Sequence, residues 1–230
     1  GDQRREYHVD VDDRGASPMA TAPTTAQLLE WVRTTSLQYA RSRSIDGVLE
    51  SLVKGGADFG VVSAAVGIVD ESRLVLRHSY GIPEHVLDEY RVVPLGVTLP
   101  GTDVARLGVP VYLGTPRDMM SMYPGSIASR GGMRALATLP LTVDSIGIGS
   151  LGVAFHVEVA FTDDFRMALD AMAALCAASL DITARSAASP TAGAVEHETL
   201  DARVQALERE IGAMRELLSF LGAIATQRLT

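Results

Sequence analysis

The stretch from Met133 to Arg185 constrains this chain more than any other. It opens with two apolar runs, Ala135–Val143 and Ile146–Phe155, separated only by Asp144-Ser145. Runs of that length, rich in Val, Ile, Thr and Leu and interrupted by Gly and Asp, predict neighbouring strands on a tight connection. After a short polar turn, Thr162-Asp163-Asp164 introduces an alanine-rich segment of helical period that continues to Arg185. Thr and Asp are cap residues, and negative charge is favoured at a helix N-terminus. The acidic pair is therefore read as a helix start, not as a catalytic carboxylate pair.

Size and composition bound the rest. A chain of 230 residues holds one domain with extensions or two small ones, and 47% apolar residues are enough for a core. No apolar run reaches the roughly 18 residues of a membrane span, and no signal-peptide core opens the chain. The expectation is a soluble, cytoplasmic protein without a membrane partner. The single Cys176 leaves no intramolecular disulfide and no multi-cysteine metal site. A net charge of −8 without a basic stripe argues against direct nucleic-acid binding. Arginine outnumbers lysine 19 to 1 and asparagine is absent, a bias that points to a GC-rich bacterial genome.

Residues 1–26 are charged and then rich in Ala, Ser, Thr and Pro, and read as a flexible arm. From Thr25 the pattern turns helical, with Leu28, Leu29, Val32, Leu37 and Ala40 on one face and Trp31 beside it. A second helix starts at Ser44-Ile45-Asp46 and ends near Gly55-Gly56. Val61–Val69 and Arg73–Tyr80 flank Asp70-Glu71-Ser72 as a hairpin. Gly81-Ile82-Pro83 then leads into a short helix, Glu84–Arg91. Residues 94–132 are the least regular, with a helix expected over Thr102–Gly108 and a strand over Val109–Leu113. SAASPTAGA after Arg185 breaks the pattern and serves as a linker, 186–199.

Two short texts carry a family resemblance. One is Ser79-Tyr80-Gly81-Ile82-Pro83 after a hairpin. The other is Pro140-Leu141, a small turn, the run Gly149–Phe155, then Phe161 and Asp163-Asp164 ahead of a long helix. With the order of elements, these resemble GAF sensory domains over residues 27–185. The resemblance implies an α+β, profilin-like fold: an antiparallel sheet of five or six strands, helices on both sides, and a ligand pocket between the sheet and residues 84–132. It also implies that the first helix packs with the last.

The resemblance excludes several branches of the family. Covalent bilin attachment uses a cysteine in the cavity region, and none is there. The cyclic-nucleotide branch carries an Asn-Lys-Phe-Asp-Glu text, which a chain without asparagine lacks. The branch that reduces free methionine sulfoxide needs several cysteines. No G-x-S-x-G, P-loop or H-E-x-x-H occurs, so no catalytic residue is assigned and the expectation is a non-enzyme.

The candidate ligand-binding residues are Tyr80, Met119, Met122, Tyr123, Arg130 and Arg134. Methionines line adaptable apolar pockets and tyrosine adds a polar tip, although the Met119–Tyr123 cluster equally fits a lid filling its own core. Arg130 and Arg134 flank Gly131-Gly132, an arrangement that suits an anion, or simply two solvated arginines. Cys176, inside the Ala-rich helix, reads as a small buried hydrophobe. The five histidines, His8, His78, His85, His156 and His197, show no metal-ligand spacing, and no metal is assigned. No cofactor is specified either; haem ligation by one of them is the third reading below.

Residues 200–230 carry a heptad seam: Leu200, Val204, Leu207, Ile211, Met214, Leu218 and Leu221 recur at steps of four and three. With Val204 at a and Leu207 at d, Arg203 and Glu210 fall at g, and Glu208 and Arg215 at e. A parallel pair then sets Arg203 against Glu208 and Glu210 against Arg215, both attractive, so the seam predicts a parallel homodimer. Leu217, Phe220 and Ile224 widen the apolar face beyond a two-stranded seam, which fits a four-helix bundle or the entry to an output domain. The leading functional expectation is a non-enzymatic dimeric sensory module that binds a small molecule or a regulatory protein. The alternatives are an interaction protein with a filled pocket and a haem-based redox or gas sensor.

Overall fold

The computed structural model describes residues 22–124 other than 43, residue 126, and residues 133–188. The N-terminal arm up to residue 21, Arg130, and the whole heptad seam including Val204, Leu207, Ile211, Met214, Leu218 and Leu221 lie outside the described residues. The chain divides into units 1–186 and 187–230, and every contact reported below belongs to the first.

Helices α1 (Thr25–Ser42) and α2 (Ile45–Gly55) lead through a 3-10 turn, Ala57–Phe59, into the hairpin β1 (Val61–Asp70) and β2 (Arg73–Tyr80). Then come α3 (Glu84–Tyr90), β3 (Val92–Pro94), α4 (Pro100–Leu107), β4 (Val111–Leu113) and α5 (Pro116–Met122). The chain closes with β5 (Ala135–Val143), β6 (Ile146–Phe155) and α6 (Asp163–Ala188), the two strands and long helix that the sequence predicts. The six strands form one antiparallel sheet in the order β3-β2-β1-β6-β5-β4. The short β3, paired to β2 at Arg73–Val75, is an edge strand that the sequence reading did not assign.

Alternation along the strands splits the sheet into two unlike faces. Ala64 and Val66 of β1, Ala135, Ala137, Leu139 and Leu141 of β5, and Leu151, Val153 and Phe155 of β6 join one buried core with α1, α2 and α6. Burying each large aliphatic side chain there contributes about 1.5–3 kcal/mol. Trp31, Phe59, Phe155, Phe161 and Phe165 stack edge-on or tilted with centroids 5.4–6.2 Å apart, which joins α1, the 3-10 turn, β6 and α6. The buried Trp31 Nε1–H donates to the Leu52 carbonyl at 2.9 Å. Thr25 Oγ1 reaches Asp164 Oδ2 at 2.6 Å, so the first helix meets the start of the last.

The opposite face is covered by α3, α4 and α5. Thr102 holds the start of α4: its hydroxyl accepts from Leu99 N–H at 3.1 Å and donates to the Val97 carbonyl at 2.5 Å. Thr115 and Asp118 cap α5 reciprocally, Thr115 Oγ1 accepting from Asp118 N–H at 3.2 Å and Asp118 Oδ2 from Thr115 N–H at 2.9 Å. Thr162 caps α6 by accepting from Phe165 N–H at 3.3 Å.

The Gly81-Ile82-Pro83 text has a backbone cause. Gly81 sits at φ +76° where a Cβ would fall 2.3 Å from the Val62 carbonyl oxygen, so only glycine turns the chain off β2 toward α3. The β5–β6 turn places Asp144 at φ +48° and Ser145 at φ +65°, the two consecutive positive values of a type I′ hairpin turn. A left-handed non-glycine residue costs about 1–2 kcal/mol, against roughly 0.5–1 kcal/mol for glycine's extra chain entropy. Ser145→Gly is therefore expected to stabilise the fold by up to about 1 kcal/mol, read as a higher urea midpoint at unchanged slope.

Candidate ligand-binding cavity

Between the second face of the sheet and helices α3 and α4 lies a cavity of about 640 Å³ as bounded by the described residues. Its floor is made of small side chains. Ser63, Ala65 and Gly67 come from β1, Ser150, Gly152 and Ala154 from β6, and Thr138 from β5. The register sets them side by side: Ala65 pairs with Gly152, and Gly152 with Thr138, while Gly67 pairs with Ser150. Larger residues at these positions would bring α3 and α4 no closer; they would fill the space. Leu74 and Leu76 of β2, Val86 and Leu87 of α3, Leu99, Met133 and Leu136 form the apolar walls.

Two glycines on β6 have opposite reasons. At Gly149 a Cβ would fall 2.0 Å from the Gly67 carbonyl oxygen, so that position is fixed by the close approach of β1. At Gly152 the nearest atom to a Cβ is the Ala65 carbonyl oxygen at 4.0 Å. The fold tolerates a side chain there, and it would project into the cavity.

Three hydroxyls stand on the floor. Ser63, Thr138 and Ser150 are 9%, 2% and 3% exposed, and none has a hydrogen-bond partner among the described residues. Of the other lining hydroxyls, Thr102 is spent on Val97 and Leu99 as above, and Ser126 and Tyr90 belong to the walls. Among the described lining residues there is no Lys, Arg, His or Cys, and the one carboxylate, Glu89, is exposed.

None of the sequence-predicted residues within the described regions lines this cavity. A bulge sets Val66 opposite His78 and Gly67 opposite Leu76, skipping Arg77, so the strand changes face after Leu76. Tyr80 therefore packs on the helical core, near Lys54 of α2. The same shift places His78 Nδ1 at 2.9 Å from Asp46 Oδ1 of α2. Met119 and Tyr123 are buried with Leu113 in a separate small core between α5 and β4. Tyr123 is held above the usual phenol range by burial and by the neighbouring Asp103 carboxylate. Met122 points to solvent at 55% exposure. Arg134 pairs with Glu158, Nη2 to Oε1 at 2.5 Å, while its backbone N–H bonds the Phe155 carbonyl. Of the methionine cluster, then, Met119 and Tyr123 pack in their own small core, while Met120 and Met122 stand outside it. The hydroxyl-and-glycine floor was missed, because Ser150 and Gly152 read as ordinary members of an apolar strand. Small residues at alternate positions of β1 and β6 were the available signal.

Cys176 is fully buried among the α6 core residues, on the helical side of the sheet, and burial pushes its thiol up to about 12. His156 Nδ1 lies 2.9 Å from the Gly60 carbonyl. Among the described residues, no group of three or more His, Cys, Asp and Glu could hold a metal ion, and no helix is long and apolar enough to cross a membrane.

With this geometry in hand, comparison is informative. The family model described as GAF domain matches residues 42–181. The chain belongs to the GAF domain family. None of the curated proteins matches it. Among solved structures, the GAF domain from a Coxiella burnetii phosphoenolpyruvate-protein phosphotransferase aligns with a TM-score of 0.61 at 13% identity, over 73% of this chain and 100% of that one. The GAF domain from the Acinetobacter phosphoenolpyruvate-protein phosphotransferase gives 0.56 at 18%, over 70% and 96%. The free methionine-R-sulfoxide reductase from Neisseria meningitidis, solved with its substrate, gives 0.56 at 17%, over 75% and 99%. At these identities the likeness is one of fold alone.

The raised thiol has a pH consequence. An unfolded cysteine ionises near about 8.5. Above that value the unfolded chain releases a proton that the folded chain keeps, so this group's contribution to stability falls as pH rises toward 12. Cys176→Ala should show a shallower loss of unfolding free energy than wild type between about pH 9 and 11, by up to roughly 1.4 kcal/mol per unit. Identical slopes would mean that the thiol is not held protonated.

Proposed function

We propose that this GAF domain is a non-enzymatic sensory module that takes a small molecule into the cavity between the sheet and α3/α4. The observation that carries this reading is the cavity itself. About 640 Å³ stands over a floor of glycine, alanine, serine and threonine, and at Gly152 the fold would accept a larger residue. Pockets of 300–1,000 Å³ with apolar walls and a few placed polar groups are the usual form of small-molecule sites. The cavity argues against the filled-pocket interaction protein. A non-catalytic role is supported by the described lining, which sets no His, Lys or Cys beside the hydroxyls, and by the placement of the sole thiol in the opposite core. The absence of His and Cys from the described lining leaves the haem reading without a specific observation in its favour.

The heptad seam supports the rest of the scheme: a parallel homodimer through Val204, Leu207, Ile211, Met214, Leu218 and Leu221, with a regulatory protein or output element as the receiver. The ligand would act by preferring one arrangement of the terminal helices over another, because a ligand shifts an equilibrium only by its differential affinity.

Native mass spectrometry of the freshly purified protein is expected to show a species heavier than the polypeptide, and Gly152→Leu, which fills the cavity floor, should lose the extra mass while unfolding as cooperatively as wild type. Bare polypeptide mass in wild type, with no uptake from a metabolite extract, would count against the sensor reading. For the seam, Leu207→Asp with Leu218→Asp should convert a dimer to a monomer in sedimentation velocity. A wild-type monomer at tens of micromolar would remove the dimer from the scheme.

A further inference from the structure

Resting on the ligand-binding reading above, we infer that the cavity selects an uncharged, mainly apolar molecule that presents hydrogen-bonding oxygen or nitrogen atoms to the hydroxyls of Thr138, Ser150 and Ser63. Two independent observations carry this. First, none of the described lining residues is cationic. An anion entering this space gives up its hydration with no opposite charge to meet it, which costs several kcal/mol even after relaxation. Arg134, next to the lining residue Met133, is already paired with Glu158. Second, the hydroxyls of three floor residues open into the cavity with no hydrogen-bond partner among the described residues. A guest that fills the cavity takes them out of water, and leaving one unpaired would then cost about 1–3 kcal/mol. A purely hydrocarbon guest would leave them unpaired; a neutral ketone, alcohol or amide satisfies them.

The register fixes where those polar atoms belong. Thr138 faces Gly152 across β5–β6, and Ser150 lies two residues from Gly152 on the same face, so both hydroxyls flank the bare Gly152 backbone. Ser63, paired with Ala154 across β1–β6, stands toward the other end. A flat polycyclic body lying over Gly152 and Ala65 therefore meets Thr138 and Ser150 along one edge, with Leu74, Leu76, Leu87 and Leu136 around the remainder.

The test uses two matched pairs of probes on the full chain. N-phenyl-1-naphthylamine and its 8-sulfonate share one aromatic skeleton and differ in charge. The neutral probe is expected to bind at least ten-fold more tightly than the sulfonate, and Gly152→Leu to weaken it at least ten-fold. As competitors against that probe, fluorenone should outperform fluorene several-fold, and the isosteric pair Thr138→Val with Ser150→Ala should abolish the difference while leaving fluorene unchanged. Equal binding of the sulfonate, sensitive to Gly152→Leu, would overturn the selection against charge and leave the cavity as a ligand site. A ketone preference that is missing, or that survives the double variant, would overturn the role of the hydroxyls. No Gly152-sensitive binding of any of the four probes would overturn the ligand-binding reading itself. Circular dichroism and cooperative unfolding of each variant separate these outcomes from misfolding.

Discussion

Everything in this fold depends on one sheet being read differently from its two sides. Along β6, Leu151, Val153 and Phe155 face the helices, and Ser150, Gly152 and Ala154 face the cavity. The first set binds α1, α2 and α6 to the sheet; the second lines the cavity. Period-two alternation makes these choices inseparable, because a slip of one residue would drive Phe155 and Leu151 into the cavity and leave serine and glycine to pack the core. The Gly149–Gly67 approach helps to lock that register, since no other residue fits where the carbonyl of Gly67 would lie 2.0 Å from a Cβ.

The two faces also suggest how a bound molecule would be felt elsewhere. The aromatic cluster of Trp31, Phe59, Phe155, Phe161 and Phe165 begins on β6, directly behind the cavity floor, and ends on α1 and α6. Tightly packed interiors transmit displacement instead of absorbing it. A guest that shifts the backbone at Gly152 by a few tenths of an ångström must therefore move Leu151 or Val153 against α6, or be refused. That is what relay would mean under the proposed reading: one strand with a cavity face and a helix face.

The fold was largely legible in the sequence, and for identifiable reasons. The β5–β6–α6 unit carries dense β-branched runs, a two-residue turn and a capped helix, each local signals that agree with the tertiary result. The edge strand β3 was not legible: three residues paired to β2 have no periodicity to show. The site was much less legible than the fold. Tyr80 is a candidate from the Ser79–Pro83 text, and a single bulge at Arg77 sends it to the other face. Met119 and Tyr123 have the composition of a pocket, yet composition cannot say whether methionines surround a guest or one another. Here they close on Leu113. The residues that do shape the cavity are conspicuous only by being small, a property that means nothing until the strand pairing sets Ala65, Gly152 and Thr138 in one row.

That row also separates this GAF domain from the ligand classes its fold alone would permit. A fold places the cavity, but the lining decides what enters it. With charged side chains committed elsewhere, Arg134 to Glu158 and Arg106 to Asp103, the described walls of the cavity offer no cation to an incoming anion. What remains is shape and a short line of hydroxyls. Hydroxyls both donate and accept, so they do not dictate the polarity of the guest's groups, only that such groups exist and where they lie. Specificity built this way discriminates strongly against a guest that lacks the polar edge, since buried hydroxyls would then stay unpaired, and weakly among guests that differ by a methylene along the apolar walls. On the proposed reading, the guest that suits these described walls is a neutral molecule with one polar edge.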